Sequence, residues 1–159
     1  MVNEMNYATI SHVMEDWESV KRTKDYEKVA GTKLFRRLFD KCPQAKLLFG
    51  FPIDIDVDSP ELLQSKRFIA QAIYFWNMID TSLNMLGPDI ELLTEIMTEL
   101  GTKHVVYGVK PDMFPIMGDA LVWTLKEMLG DKFKDENEKA WKETYDALSA
   151  DMIRAMVKK

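Results

Sequence analysis

The chain is predicted to be all-α, and three observations carry that expectation. Apolar residues recur at helical spacing along almost the whole length, and no run alternates apolar and polar residues as a half-buried strand would. The breaks between periodic stretches fall at proline, glycine and short polar clusters. With 159 residues, 47% of them apolar, a single domain over 1–159 with one core is expected. Four Trp, eight Phe, five Tyr and eleven Met give that core enough bulk to enclose a flat apolar ligand.

The first helix is expected from about Tyr7 to Lys21, with Ile10, Val13, Met14 and Trp17 on one face. A second spans roughly Asp25 to Lys41, with Val29, Leu34, Leu38 and Phe39 apolar, and halts before Pro43. A short turn from Pro43 to Phe49 leads into the acidic loop GFPIDIDVDSP. Beyond it, Glu61 to Met85 reads as one long helix whose face carries Phe68, Ala72, Phe75, Ile79 and Leu83. Gly87-Pro88 breaks that helix, and Pro88 suits the first position of the next. The following helix places Leu93, Met97, Leu100 and His104 on one stripe. Two more helices, Met113 to Leu129 and about Glu136 to Met156, flank GDKFKD.

A net charge of -5 leaves no electrostatic footprint for nucleic acid or an anionic membrane. The basic run Lys21 to Lys24 reads as a solvated connector. One cysteine, Cys42, excludes an intramolecular disulfide and reads as a semi-buried, inert residue. No leader pattern and no apolar run of transmembrane length is present, so a soluble, cytoplasmic protein is expected. The spacing Asp54-x-Asp56-x-Asp58 invites a calcium reading. An EF-hand loop needs Gly at its sixth position and Glu at its twelfth, where this chain has Ser59 and Ser65. A solvated acidic loop that starts the next helix is the better reading.

Two histidines remain. His12, beside Ser11 and Glu15 in the first helix, reads as a surface residue. His104 continues a buried stripe, where a lone histidine is ordinarily a packed side chain. Two features weigh against the ordinary reading. Gln71 lies three residues after Phe68 and four before Phe75, so it is expected on their apolar face, where an unpaired amide costs about 1–3 kcal/mol. Phe35, Phe49, Phe51, Phe75 and Phe114 come from separate segments and are expected to converge. Such convergence is more often plain core than a cofactor box.

The overall pattern adds a third feature. Trp17 is followed by GTKLFRRLFDKCPQAKLLFGF with its Pro43 and Phe49, then NMIDTSL, LGTKHVVYGV, and AWKETYDALSADM with Trp141 and Tyr145. Phe49 precedes Gln71 by 22 residues, and Gln71 precedes His104 by 33. In order and spacing the chain resembles the globin family along nearly its whole length, on its neuroglobin-like and single-domain microbial branches. That resemblance implies the globin fold, with helices packed around a haem pocket. It implies one b-type haem held non-covalently, since no C-x-x-C-H attachment motif occurs.

Under the resemblance, His104 is the axial ligand of the iron and Phe49 stacks on the macrocycle. Gln71 takes the distal position, Phe75 lies above the haem one turn onward, and Phe35 faces the sixth site. Leu100, Val109 and Phe114 line the proximal side, with Tyr74 at the haem edge. The chemistry agrees, because a ligating imidazole donates its other N–H to fix tautomer and ring angle. The Leu100 carbonyl, one turn back, is the natural acceptor.

Departures from the pattern shape the expected function. Gln71 in place of histidine removes bis-histidine coordination, and Phe35 lacks the tyrosine hydroxyl of many microbial relatives. Phe75 narrows the pocket. Tyr74 and Phe51 replace polar partners for a propionate, leaving Lys103 and Tyr107 as nearby candidates. Reversible binding of a diatomic gas, most of all oxygen, is the leading expectation. Nitric oxide dioxygenation or other haem redox chemistry, with an external reductase, is the alternative. A haem-free signalling module is a third, against which His104, Phe49 and the polar Gln71 argue together.

Overall fold

The computed structural model describes residues 5–86 and 89–157. The described residues form eight α-helices: α1 (Tyr7–Lys21), α2 (Tyr26–Lys41), α3 (Ala45–Leu48), α4 (Pro60–Leu63), α5 (Lys66–Met85), α6 (Ile90–Tyr107), α7 (Phe114–Leu129) and α8 (Asp135–Val157). No strand occurs among them. The Gly87-Pro88 break lies outside the described residues. Short 3-10 turns at Pro111–Met113 and Gly130–Lys132 lead into and out of α7.

The expected helix from Glu61 to Met85 is divided. Ser59 caps α4 by accepting from the Leu62 amide, and Ser65 caps α5 by accepting from the Phe68 amide at 3.4 Å. Ser65 is extended, with ψ of 130°, which ends one helix and starts another. Two serines six residues apart, each with its own cap bond, therefore outweigh the apolar periodicity that runs across them. Asn6 caps α1 in the same way, at 2.8 Å from the Thr9 amide.

Long helices pack on one another around a shared core. α2 crosses α5 and α7, while α8 packs on α6, α1 and α7. At the α2–α5 crossing the two backbones meet, since a Cβ on Gly31 would overlap the Cβ of Ala72. Close approach there carries Phe35, one turn beyond Gly31, onto the aromatic face of α5. Val29 turns outward and is exposed, correcting its expected place on the apolar face of α2.

Polar ties fix α1 against its neighbours. The Trp17 indole stacks on Trp76 of α5 with ring centroids 5.5 Å apart and donates to Asp80 at 2.8 Å. Burial raises the Asp80 carboxyl, but the Trp17 N–H and the Lys21 ammonium together hold it below the ordinary carboxylate value. Lys21 is thus partly buried in an ion pair at 3.1 Å, and only the rest of its basic run is a solvated connector. Asp16 is nearly buried and accepts from Asn137 and from the Trp141 indole at 3.0 Å, joining α1 to α8.

Candidate functional site

His104 sits in the last turn of α6, partly buried, on the stripe that carries Leu93 and Met97 into the core. Its Nδ1 lies 2.7 Å from the Leu100 carbonyl oxygen. A carbonyl only accepts, so Nδ1 is the ring nitrogen that donates, and Nε2 is the one left for a metal or another partner. The i to i−4 bond expected from the sequence is therefore present. The His104 carbonyl accepts from the Val109 amide at 3.0 Å, which ties the ligand candidate to the turn beyond α6.

Around this imidazole stand Phe114, with ring centroids 5.7 Å apart, and Tyr107 at 6.4 Å. Phe114 is buried, while Leu100 and Val109 are half-buried against the core. Tyr145 of α8 holds Phe114 from behind by donating its hydroxyl to the Phe114 carbonyl at 2.7 Å. Burial pushes the Tyr145 phenol far above its ordinary value, so it stays a donor at any physiological pH.

A second group of rings forms on α2, α5 and the end of α3. Phe35 packs on Phe49 at 5.1 Å, on Phe75 at 6.0 Å and on Phe68 at 6.1 Å, all edge-on. Phe39 meets Phe49 at 5.2 Å from the other side. The structure thus brings Phe35, Phe49 and Phe75 together as expected and adds Phe39 and Phe68. Phe51 is half-buried against the core without a ring contact to this group, and Phe114 belongs with His104 instead.

The two groups meet at one edge, where Gly108 lies against the Leu48 side chain next to Phe49. Leu47, Leu48 and Ile53 on one side and Val105, Val106 and Tyr107 on the other leave apolar surface exposed there.

Gln71 departs from expectation. It is exposed, as are Tyr74 and Ile73. The buried row of α5 runs through Phe68, Ala72, Trp76, Ile79 and Leu83, and Trp76 was not anticipated on it. At 3.6 residues per turn Gln71 stands about a quarter turn to the side of that row. Lys103 is ion-paired with Glu99 at 3.7 Å, and Tyr107 is exposed. His12 is partly buried on α1, which packs on α7 and α8, and so is not the plain surface residue expected.

No group of three or more metal-ligating residues occurs among the described residues, and Asp54, Asp56 and Asp58 are exposed. Cys42 is buried, with its thiol 3.8 Å from the Gln44 amide oxygen. No helix among the described residues is long and apolar enough to cross a membrane.

A neutral imidazole with one nitrogen committed to a carbonyl, set among Phe, Leu and Val, is a donor set that suits iron in a porphyrin. Two residues important to this arrangement had no sequence signal of their own: Lys46 and Arg67 look like any surface cation in the primary structure. Tyr145 stood within a recognisable segment, but its partner did not.

Comparison with known proteins agrees. The globin family model matches residues 32–152. The chain is 29% identical over 146 residues to a neuroglobin of Danio rerio, covering 92% of this chain and 89% of that protein. It is 32% identical to the anaerobic nitrite reductase NSHB5 of Oryza sativa subsp. indica, covering 92% of each. Among solved structures, a hexacoordinated heme protein from an anhydrobiotic tardigrade superposes with a TM-score of 0.83 at 18% identity, over 98% of this chain and 97% of that one. Haem is the cofactor of the family that these matches define, and the chain belongs to the globin family.

Proposed function

We propose that this chain holds one b-type haem through His104 and binds a diatomic gas reversibly, oxygen foremost. When bound, the haem would supply a ferrous iron to which a gas can bind. His104 would hold it through Nε2, with the Leu100 carbonyl setting the tautomer and angle of the ring. Phe49 and Phe114 supply flat apolar contact, and Phe35 and Phe75 keep water from the gas side. Gln71 offers an amide donor to a polarised gas, Leu100 and Val109 pack the proximal side, and Tyr74 stands at the edge. Lys103 and Tyr107 are the candidates for the propionates.

The observation that carries this reading is the 2.7 Å contact from His104 Nδ1 to the Leu100 carbonyl, which commits one ring nitrogen and leaves Nε2, beside buried Phe114, as the candidate ligand. The absorption spectrum of the purified protein tests it. A histidine-ligated haem spectrum is expected, and His104→Ala should abolish stable haem retention unless imidazole is supplied. A normal histidine-ligated spectrum in that variant would show that another residue holds the iron.

The name of the rice relative favours a second reading, haem redox chemistry on nitrite or nitric oxide. Such turnover needs electrons from an external reductase. Sustained turnover with a supplied reductase, at rates above those of free haem, would favour it over gas binding alone.

A further inference from the structure

The loop between α3 and α4 displays three exposed aspartates, yet a lysine is buried beneath it. Lys46 is 8% exposed, and its ammonium donates to the carbonyls of Ile53 and Ile55, each at 3.0 Å. Its own carbonyl accepts from the amides of Phe49 and Phe51, both at 3.1 Å. Among the described residues no carboxylate forms an ion pair with it. Taking an ammonium out of water is costly unless its protons are accepted. Two carbonyls from one loop accept them here, so the charge is used to set the path of that loop.

Arg67, in the first turn of α5, provides a second hold. Its Nη1 donates to the Phe49 carbonyl at 3.0 Å. The guanidinium fills the space that a Cβ at residue 50 would need, and Gly50 takes a left-handed φ of 80° that admits it. Phe49 therefore has its amide bound to Lys46 and its carbonyl bound to Arg67. Both ends of its peptide frame are committed, and its ring packs edge-on to Phe35 and Phe39.

We propose that Lys46 is a positioning residue for haem retention: its carbonyl holds the Phe49 and Phe51 amides while its buried ammonium holds the Ile53 and Ile55 carbonyls, so that one residue sets the path of 49–55 and, with Arg67, the place of Phe49. The inference rests on the haem-binding reading above. The hydrogen bonds of the Lys46 ammonium go to the loop, so its effect on haem passes through Phe49. A lysine that only stabilised the loop would lower the unfolding midpoint and leave haem affinity alone.

The test compares Lys46→Met, Lys46→Arg and Arg36→Ala as haem-loaded proteins. Arg36 ties the same loop through Asp58 at 2.9 Å, on the solvent side and away from Phe49. Haem loss to an excess of apomyoglobin should speed up roughly tenfold in Lys46→Met, from the loss of charge-assisted bonds. Lys46→Arg should stay within about threefold of the parent, since it keeps the charge and the donors. Arg36→Ala should match the parent.

Should Lys46→Met fail to fold, Lys46→Gln, which loses the charge and keeps a donor, takes its place. In hydrogen exchange, the Phe49 and Phe51 amides should exchange faster in the variant than in the parent. Equal exchange at these amides, an unchanged haem-loss rate in Lys46→Met, or equal acceleration in Arg36→Ala would each overturn the proposal. A parent protein that takes up no haem would sink the functional reading itself, and this one with it. The absorption spectrum reveals that case before any variant is compared.

Discussion

Replacing Tyr145 with phenylalanine deletes one hydroxyl and leaves the ring in place. That hydroxyl donates to the Phe114 carbonyl at 2.7 Å, and the tyrosine is 9% exposed, so water does not step in. Losing one buried hydrogen bond of this kind costs about 1–2 kcal/mol. At roughly 2–4 °C per kcal/mol for a chain of this length, the melting temperature should fall by about 2–8 °C at pH 7. The difference should also depend on pH in a defined direction. Burial raises the Tyr145 phenol well above the ordinary tyrosine value of 10.0 in the folded state, while the unfolded phenol ionises near that value. Above pH 10 the folded protein therefore binds more protons than the unfolded one, and the stability contributed by the hydroxyl falls as pH rises. The gap between the parent and Tyr145→Phe is full below pH 10 and should close above it, at about 1.4 kcal/mol per pH unit. Other tyrosines and lysines titrate in both proteins, so the difference isolates Tyr145. Thermal melts followed by circular dichroism at pH 7, 9, 10.5 and 11 provide the measurement. A variant as stable as the parent at pH 7, or a gap that persists unchanged at pH 11, would refute the argument.

Three further outcomes are expected. With His12 on α1 and no second histidine near α6, the ferrous protein without gas should show a five-coordinate spectrum. A sharp low-spin spectrum at neutral pH would show another endogenous ligand. If Gln71 donates to bound oxygen, Gln71→Leu should speed oxygen release about 5–30-fold, from roughly 1–2 kcal/mol of lost hydrogen bond. Carbon monoxide, less polar when bound, should leave at nearly the parent rate. Flash photolysis and stopped-flow displacement read both rates, and equal changes for the two gases would mean that Gln71 acts by bulk. Asp80→Asn weakens the tie to Trp17 and Lys21, at roughly 0.5–1 kcal/mol given the partial exposure of the pair. Because the Asp80 carboxyl is held below the ordinary aspartate value of 3.8, that contribution is present above pH 4 and fades as pH falls through the lower folded value. Urea titrations at pH 7 and pH 2 should show a deficit at the first and none at the second.

Much of the candidate site was legible because it is local. The bond from His104 to the Leu100 carbonyl follows from helix geometry alone, since residues four apart share one face. The grouping of Phe35, Phe49 and Phe75 was legible from their segments, although Phe39 and Phe68 join them through the α2–α5 crossing. Gln71 was misplaced because two phenylalanines, three residues before and four after, bracket it in sequence. The centre of the buried face is set by where α2 and α1 press on α5, not by that bracket.

The helices and most of their bounds were determined by the sequence alone, because periodicity and caps act over three or four residues. So were the axial-ligand candidate and its carbonyl partner, which lie within one turn. Tertiary structure alone decided which cation is buried, which amide faces solvent, and which carbonyl a tyrosine thirty-one residues away will hold. Lys46 and Lys103 are the same side chain in similar company along the chain, yet one is enclosed by its loop and the other is solvated beside Glu99. The difference is a matter of which backbone carbonyls end up within 3.0 Å, and only the folded path of the chain sets that distance.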